Sequence, residues 1–398
     1  MPKIAIVHDY FIQQGGAERV AVELQRLFPG APMYTTVDTG VQKFEPGPAR
    51  TSWMQNIPIN ERNHRHFFLL YPFAVESLDL SEYDIIISST SGYAKGLIKR
   101  KDAIHICYCH TPMRWVWQYE SYSDRENFGS IKRNVLPLML KGLKKWDIKA
   151  AKRPDFYIAN SRFIADRIKE YYGREAVVIP PPIDVGRFQM SSRDDGYYLL
   201  LSRLASYKRL DIAVDACRRM NRRLAVIGDG PARDSLEKLA GPKTIFLGRQ
   251  SDNAVNAYAA RCRALIFPGQ EDFGMTPLEV NAAGRPVIAF KSGGAIETVV
   301  EGKTGVFFER QTAGAVAGAI KELERRKWET DVIRAHARKF DQSVFAERIL
   351  EFVERVTGAG VTQTTGVSPK TSGLPAGRPS WTNTGLQKQW ITKRSKIS

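Results

Sequence analysis

Short apolar runs recur along the chain, and the stretches between them carry helical spacing of apolar residues. Runs at 3–8, 84–88, 103–109, 156–159 and 177–179 read as strands, and a helix is predicted over 17–27 after the first of them. The runs are aliphatic throughout rather than alternating, which is the pattern of strands buried on both faces of a parallel sheet. Pro180-Pro181-Pro182 then stops regular structure, and the polar stretch 191–196 reads as a linker. The alternation starts afresh at 197–201, 223–227, 244–247, 264–267, 286–289 and 306–308, with helices predicted at 210–220 and 276–283. The expected fold is therefore α/β, with two doubly wound units, 1–185 and 197–340, hinged over 183–196. A chain of 398 residues is long enough to need two cores. Ligands of such sheets bind outside the carboxyl ends of the strands, so the expected site is the cleft between the units.

Composition narrows the partners. Hydrophobic residues make up 43% and charged residues 25%, a globular balance, whereas the polar segment 358–398 reads as a basic disordered tail. No uncharged apolar run approaches the roughly 18–20 residues of a membrane-spanning helix, and Met1-Pro2-Lys3 shows no cleavage pattern, so a cytoplasmic location is expected. The four cysteines form no framework, which fits a reducing compartment. Cys107, Cys109 and His110 lack a second ligand pair at zinc spacing, so no metal is expected, and the two cysteines are read as sharing one face of a buried strand.

The net charge of +17 calls for an anionic partner. The run 132–153 holds eight basic residues against the single acid Asp147. Lys141, Lys144, Lys145 and Lys149 recur at helical spacing opposite Leu136, Leu140, Leu143 and Trp146. A basic amphipathic helix fits an anionic membrane surface, and an ordinary solvated helix is the alternative. No RNA or DNA module is recognisable, so no nucleic-acid partner is expected.

Four local patterns carry candidate chemistry. In Glu271-Asp272-Phe273-Gly274-Met275-Thr276-Pro277-Leu278-Glu279, the amides of Phe273, Gly274 and Met275 approach a helix start and suit an anion. Glu271 beside them suits hydroxyl groups, whereas Glu279 also fits a capping box begun by Thr276 at the N-cap with Pro277 in the first turn. Arg203 and Lys208, after the strand 197–201, can clamp a diphosphate, the alternative being a solvated basic loop. Gly15 and Gly16 permit close approach of a phosphate, although no full G-x-G-x-x-G is present, which weakens a dinucleotide oxidoreductase reading. His110 ends the strand 103–109 and can face the cleft toward a sugar or a leaving phosphate, or else sit in a surface turn with Pro112. Gly228-Asp229-Gly230-Pro231 and Gly293-Gly294 read as strand-to-helix turns on the same side.

In this order, Gly15-Gly16-x-Glu18, Arg203 with Lys208, Gly228-Asp229-Gly230-Pro231, Glu271 with Glu279, and Gly293-Gly294 with Glu297 resemble family 4 of the retaining glycosyltransferases, of GT-B architecture. The segment Tyr108-Cys109-His110-Thr111-Pro112-Met113-Arg114-Trp115-Val116-Trp117 resembles the bacterial O-antigen and exopolysaccharide mannosyltransferases. The resemblance implies two Rossmann-like domains facing across a cleft, with a helix at 341–357 crossing back to the first. It implies Glu271 on hydroxyls of the donor sugar, Glu279 on the ribose, and Arg203 and Lys208 on the diphosphate with help from Gly16. Met275 and its neighbours would bind through their amides, His110 would lie near the reacting carbon, and the base would lie near Arg249. It further implies no cofactor beyond the donor substrate, GDP-mannose in that subgroup, and a lipid-linked acceptor at the inner face of the cytoplasmic membrane. A UDP-glucose or other UDP-sugar transferase, a nucleotide-sugar epimerase and a non-catalytic nucleotide-sugar binder remain open alternatives.

Overall fold

The computed structural model describes residues 2–42, 44, 47–118 and 130–358, with 130–135 as backbone only. The expected tail, 358–398, lies outside the described residues from 359 onward, as does 119–129.

Two all-parallel sheets organise the described chain. The first has seven strands in the order β3-β2-β1-β4-β5-β6-β7: β1 (Ile4–His8), β2 (Met33–Thr35), β3 (Arg50–Thr51), β4 (Ile85–Thr90), β5 (Ile104–Cys109), β6 (Phe156–Ala159) and β7 (Val177–Val178). The second has six in the order β10-β9-β8-β11-β12-β13: β8 (Tyr197–Leu201), β9 (Arg223–Ile227), β10 (Thr244–Gly248), β11 (Ala264–Phe267), β12 (Val287–Phe290) and β13 (Gly305–Phe308). The doubly wound α/β reading thus holds. The central strands are aliphatic because helices cover both faces, as Ala5, Ile6, Val7, Ile86 and Ile87 show by being buried. Strand order reverses between β1 and β4 in one sheet and between β8 and β11 in the other, and these switch points open crevices at the carboxyl ends.

The basic run forms the helix Ser130–Ala150. Its apolar side faces inward: Leu140 and Leu143 are buried in the core of the first half, with Leu136 and Trp146 half-buried against it. Asp147 also points inward, 2.6 Å from Lys95, the two side chains being 0% and 1% exposed. Its other oxygen accepts from Trp117 Nε1 at 2.8 Å and from the Tyr172 hydroxyl at 2.9 Å. Lys141, Lys145 and Lys149 are exposed, together with Leu138 and Ile148. Lys144 departs from that row, because its ammonium lies over the Trp117 ring at 4.1 Å.

Near the expected hinge the chain meets its own last third. Ile183 N donates to Phe340 O at 2.8 Å and Gln342 N to Ile183 O at 3.2 Å. The final helix, Gln342–Thr357, starts on Asp341, whose side chain accepts from Ser343 N, and it lies on the first sheet. The ring pairs Tyr108–Phe345 and Phe156–Phe352 mark that contact. Among the described residues no helix is long and apolar enough to cross a membrane. All four cysteines are buried free thiols, and Cys107 and Cys109 pack in one cluster with Tyr157 and Ile164.

Candidate active site

The second half contributes two loops, one after β8 and one after β11. Lys208 ends a short 3-10 turn, Ser206–Lys208, and its Nζ lies 2.8 Å from Glu271 Oε1. Burial works to lower the Lys208 pKa, but the neighbouring carboxylate outweighs it and the net shift is upward. The pair borders a small cavity lined by Leu200, Ser202, Phe267 and Gly269. Arg203 is exposed and makes no ion pair among the described residues.

Two glycine turns press these loops into place. A Cβ on Gly228 would stand 1.9 Å from Ser202 O, and one on Gly294 would stand 2.2 Å from the Phe273 Cα. No other residue fits either contact, so the two turns are buttresses for the loops bearing Arg203 and Glu271. Gly294 N also donates to Glu271 O at 2.9 Å.

The capping-box expectation is overturned. The helix runs from Met275 to Ala282, its N-cap is Gly274 at φ 90°, and no side chain caps it. Thr276 and Pro277 are already inside the first turn, because the left-handed Gly274 turns the chain into the helix earlier than the Thr-Pro pattern suggests. Glu279 therefore caps nothing: it is buried, and its Oε1 accepts from Arg19 at 3.1 Å and from Arg187 at 3.5 Å. The amides of Phe273, Gly274 and Met275 donate to no partner among the described residues.

The first half presents Gly16 and His110 after the carboxyl ends of β1 and β5. Gly16 begins the helix Gly16–Leu27, and a Cβ on it would meet Met275 Sδ at 3.1 Å, so the two candidate residues face each other across the halves. Gly15 N donates to Glu18 Oε2 at 3.0 Å, and burial raises the Glu18 pKa. His110 is 8% exposed rather than a surface turn residue, and its Nε2 lies 2.8 Å from Ser89 Oγ. Burial, and then the neighbouring His8, lower the His110 pKa to about 3, so the ring is neutral.

Further polar contacts join the halves. Asp272 pairs with Arg114 and, at 3.5 Å, with Arg167, while Ser161 Oγ donates to the Asp272 carbonyl at 2.7 Å. Glu297 Oε1 accepts from the amides of Arg162 at 2.9 Å and Phe163 at 3.3 Å, at the start of the helix Arg162–Tyr172. Arg249 stands apart from the other candidates: it is 72% exposed and pairs with Glu61 at 3.0 Å. Sequence reasoning missed Arg19, Asp272 and Arg114 as cleft residues. Asp272 and Arg114 sat within the quoted motifs, whereas Arg19 carries no local signal.

The Glycosyltransferase Family 4 model matches residues 14–187, and the Glycosyl transferases group 1 model matches 187–340, one for each wall of this cleft. The chain carries a family 4 glycosyltransferase domain followed by a group 1 glycosyltransferase domain. A protein of similar sequence is an uncharacterised glycosyltransferase of Methanocaldococcus jannaschii, 25% identical over 212 residues, covering 52% of this chain and 60% of that one. Another is the GDP-mannose-dependent alpha-(1-6)-phosphatidylinositol monomannoside mannosyltransferase of Mycolicibacterium smegmatis, 29% identical over 195 residues, covering 41% and 51%. The phosphatidyl-myo-inositol mannosyltransferase of Mycobacterium tuberculosis is 30% identical over 217 residues, covering 48% and 57%. The chain thus spans between 51% and 60% of the length of these relatives. In fold it matches the sucrose-phosphate synthase of Thermosynechococcus elongatus, with a TM-score of 0.69 at 16% identity over 90% of this chain and 100% of that one. The Anabaena protein HepE, solved with UDP and glucose, matches with a TM-score of 0.63 at 18% identity over 89% and 100%.

Proposed function

We propose that this glycosyltransferase moves a hexose from a nucleotide sugar, with retention of configuration, onto a lipid-linked oligosaccharide in surface polysaccharide synthesis. The observation that carries the reading is the Lys208–Glu271 pair beside the three amides of 273–275. A diphosphate would draw Lys208 to itself, with Arg203 and the amides, and so release the Glu271 carboxylate to accept from sugar hydroxyls. Both arginines on Glu279 meet its Oε1, which leaves Oε2 to accept from a ribose hydroxyl. Gly15 and Gly16 supply backbone close to the phosphates, and the base extends toward the loop that bears Arg249. In the front-face mechanism the leaving phosphate takes the acceptor's proton. Lys208 and Arg203 stabilise the charge that develops on it without a metal ion.

For the donor we propose GDP-mannose. The support is the mannosyltransferase relatives at 29% and 30% identity and the segment from His110 to Trp117. GDP is expected to bind at least about tenfold tighter than UDP by calorimetry, a difference of about 1.4 kcal/mol. Incubation with a panel of nucleotide sugars and a lipid extract, following nucleotide release and lipid-linked product, tests the class. Conversion of the nucleotide sugar without an acceptor would make it an epimerase, and no conversion a binder.

Acceptor access is proposed at an anionic membrane surface, on the cytoplasmic side, through the exposed row Lys141, Lys145 and Lys149 together with the exposed Leu138 and Ile148 of the same helix. Replacing the three lysines by glutamate is expected to abolish sedimentation with vesicles containing phosphatidylglycerol, and wild-type binding should fade as salt rises. Equal pelleting of mutant and parent would move the face elsewhere. Lys144 is excluded from the set because it is engaged on Trp117.

A further inference from the structure

β1, β4 and β5 lie side by side, and their carboxyl ends carry His8, Ser89 and, one residue beyond β5, His110. The register sets His8 opposite Ser89, and Ser89 opposite Tyr108. Ser89 is wholly buried, with its Oγ 3.1 Å from His8 Nδ1 and 2.8 Å from His110 Nε2.

The protons in this chain can be assigned by elimination. His8 Nδ1 is also 2.9 Å from the Ser89 carbonyl oxygen, which can only accept. His8 Nδ1 therefore carries a hydrogen, and toward it the Ser89 hydroxyl is an acceptor. The hydroxyl's own hydrogen then has a single acceptor among the described residues, His110 Nε2. Were that nitrogen protonated, the hydroxyl would accept from both rings and its own hydrogen would be left buried with no acceptor among the described residues.

We infer that Ser89 is a positioning residue, which holds His110 in the tautomer that carries its proton on Nδ1. His110 Nδ1 makes no hydrogen bond among the described residues, and the residue keeps a small exposed edge. The cleft thus meets an N–H donor on a neutral ring, and not a base. Such a donor can bind a sugar hydroxyl or a phosphate oxygen, and it cannot take the acceptor's proton. The tautomer stands on the hydrogen bonds alone, and only its use in transfer rests on the function proposed above.

The test is long-range proton–nitrogen NMR on the full chain labelled with nitrogen-15 histidine, with the His110 signals assigned through His110→Gln. The wild type should show a pyrrole-type Nδ1 and a pyridine-type Nε2 at His110. Ser89→Ala should shift both toward averaged values and lower kcat about tenfold with the donor KM nearly unchanged. Ser89→Thr, which keeps the hydroxyl, should restore both. A pyridine-type Nδ1 in the wild type overturns the inference, and this reading needs no variant to fold. Lost activity in Ser89→Ala with the His110 signals unmoved also overturns it, since Ser89 would then be structural only. If the protein transfers no sugar from any donor while the wild-type spectrum is as expected, the proposed function fails and the tautomer stands.

Discussion

Glu271→Gln is expected to lower transfer about a hundredfold while the fold survives. The amide keeps the shape of the side chain and removes only the charge, so the β11 loop, held by Gly294 N on the Glu271 carbonyl, has no reason to move. A charged hydrogen bond that strengthens as positive charge grows on the sugar contributes about 3 kcal/mol, which is roughly a hundredfold in rate. The same change takes the negative charge from the partner of Lys208 and so loosens its hold on the ammonium. GDP should therefore bind the variant at least as tightly as the parent, and the loss should appear in kcat. Nucleotide release, calorimetric titration with GDP and circular dichroism together separate these effects. A folded variant with near-parental turnover would remove Glu271 from the mechanism.

Asp147→Ala is expected to cost about 3–5 kcal/mol of stability, because it leaves the Lys95 ammonium buried without a counter-charge. That is a large part of the roughly 5–15 kcal/mol by which domains are stable, so the variant should unfold at a much lower denaturant concentration or fail to accumulate. Two further contacts fall with the carboxylate, those from Trp117 Nε1 and the Tyr172 hydroxyl. An unchanged denaturation midpoint would show that Lys95 finds another partner at no cost.

Asp147 also shows where the sequence could not be read. Composition presents it as the one acid in a basic surface run, yet the helix turns it inward with Leu140 and Leu143. Nothing local announces Lys95, which lies on the turn after β4. The parallel sheets were legible because runs such as 3–8 and 197–201 are too short for helices and too uniformly apolar for one-sided strands. β2 and β3 were not, since Met33–Thr35 and Arg50–Thr51 hold no aliphatic run of the kind that marks the others. In the site, the loops at β8 and β11 announced Lys208 and Glu271, and the structure brings these two into contact. The helix start at Met275 was misjudged because a left-handed glycine outweighed a Thr-Pro pattern. The Arg19–Glu279 pair, 260 residues apart, and the Ser89 contact to His110 follow from the approach of the halves and from strand register. Neither leaves a mark in local spacing.

The carboxylate of Glu297 meets the first amides of the helix Arg162–Tyr172, which belongs to the other half of the molecule. Ser161 caps that helix from within, through Ile164 N, but it leaves the Arg162 and Phe163 amides to Glu297. Any parting of the halves hands those two amides to water and withdraws a negative charge from the positive end of the helix dipole. The first turn of this helix is thus finished by borrowed atoms. The stability of that turn is therefore linked to the closeness of the two halves.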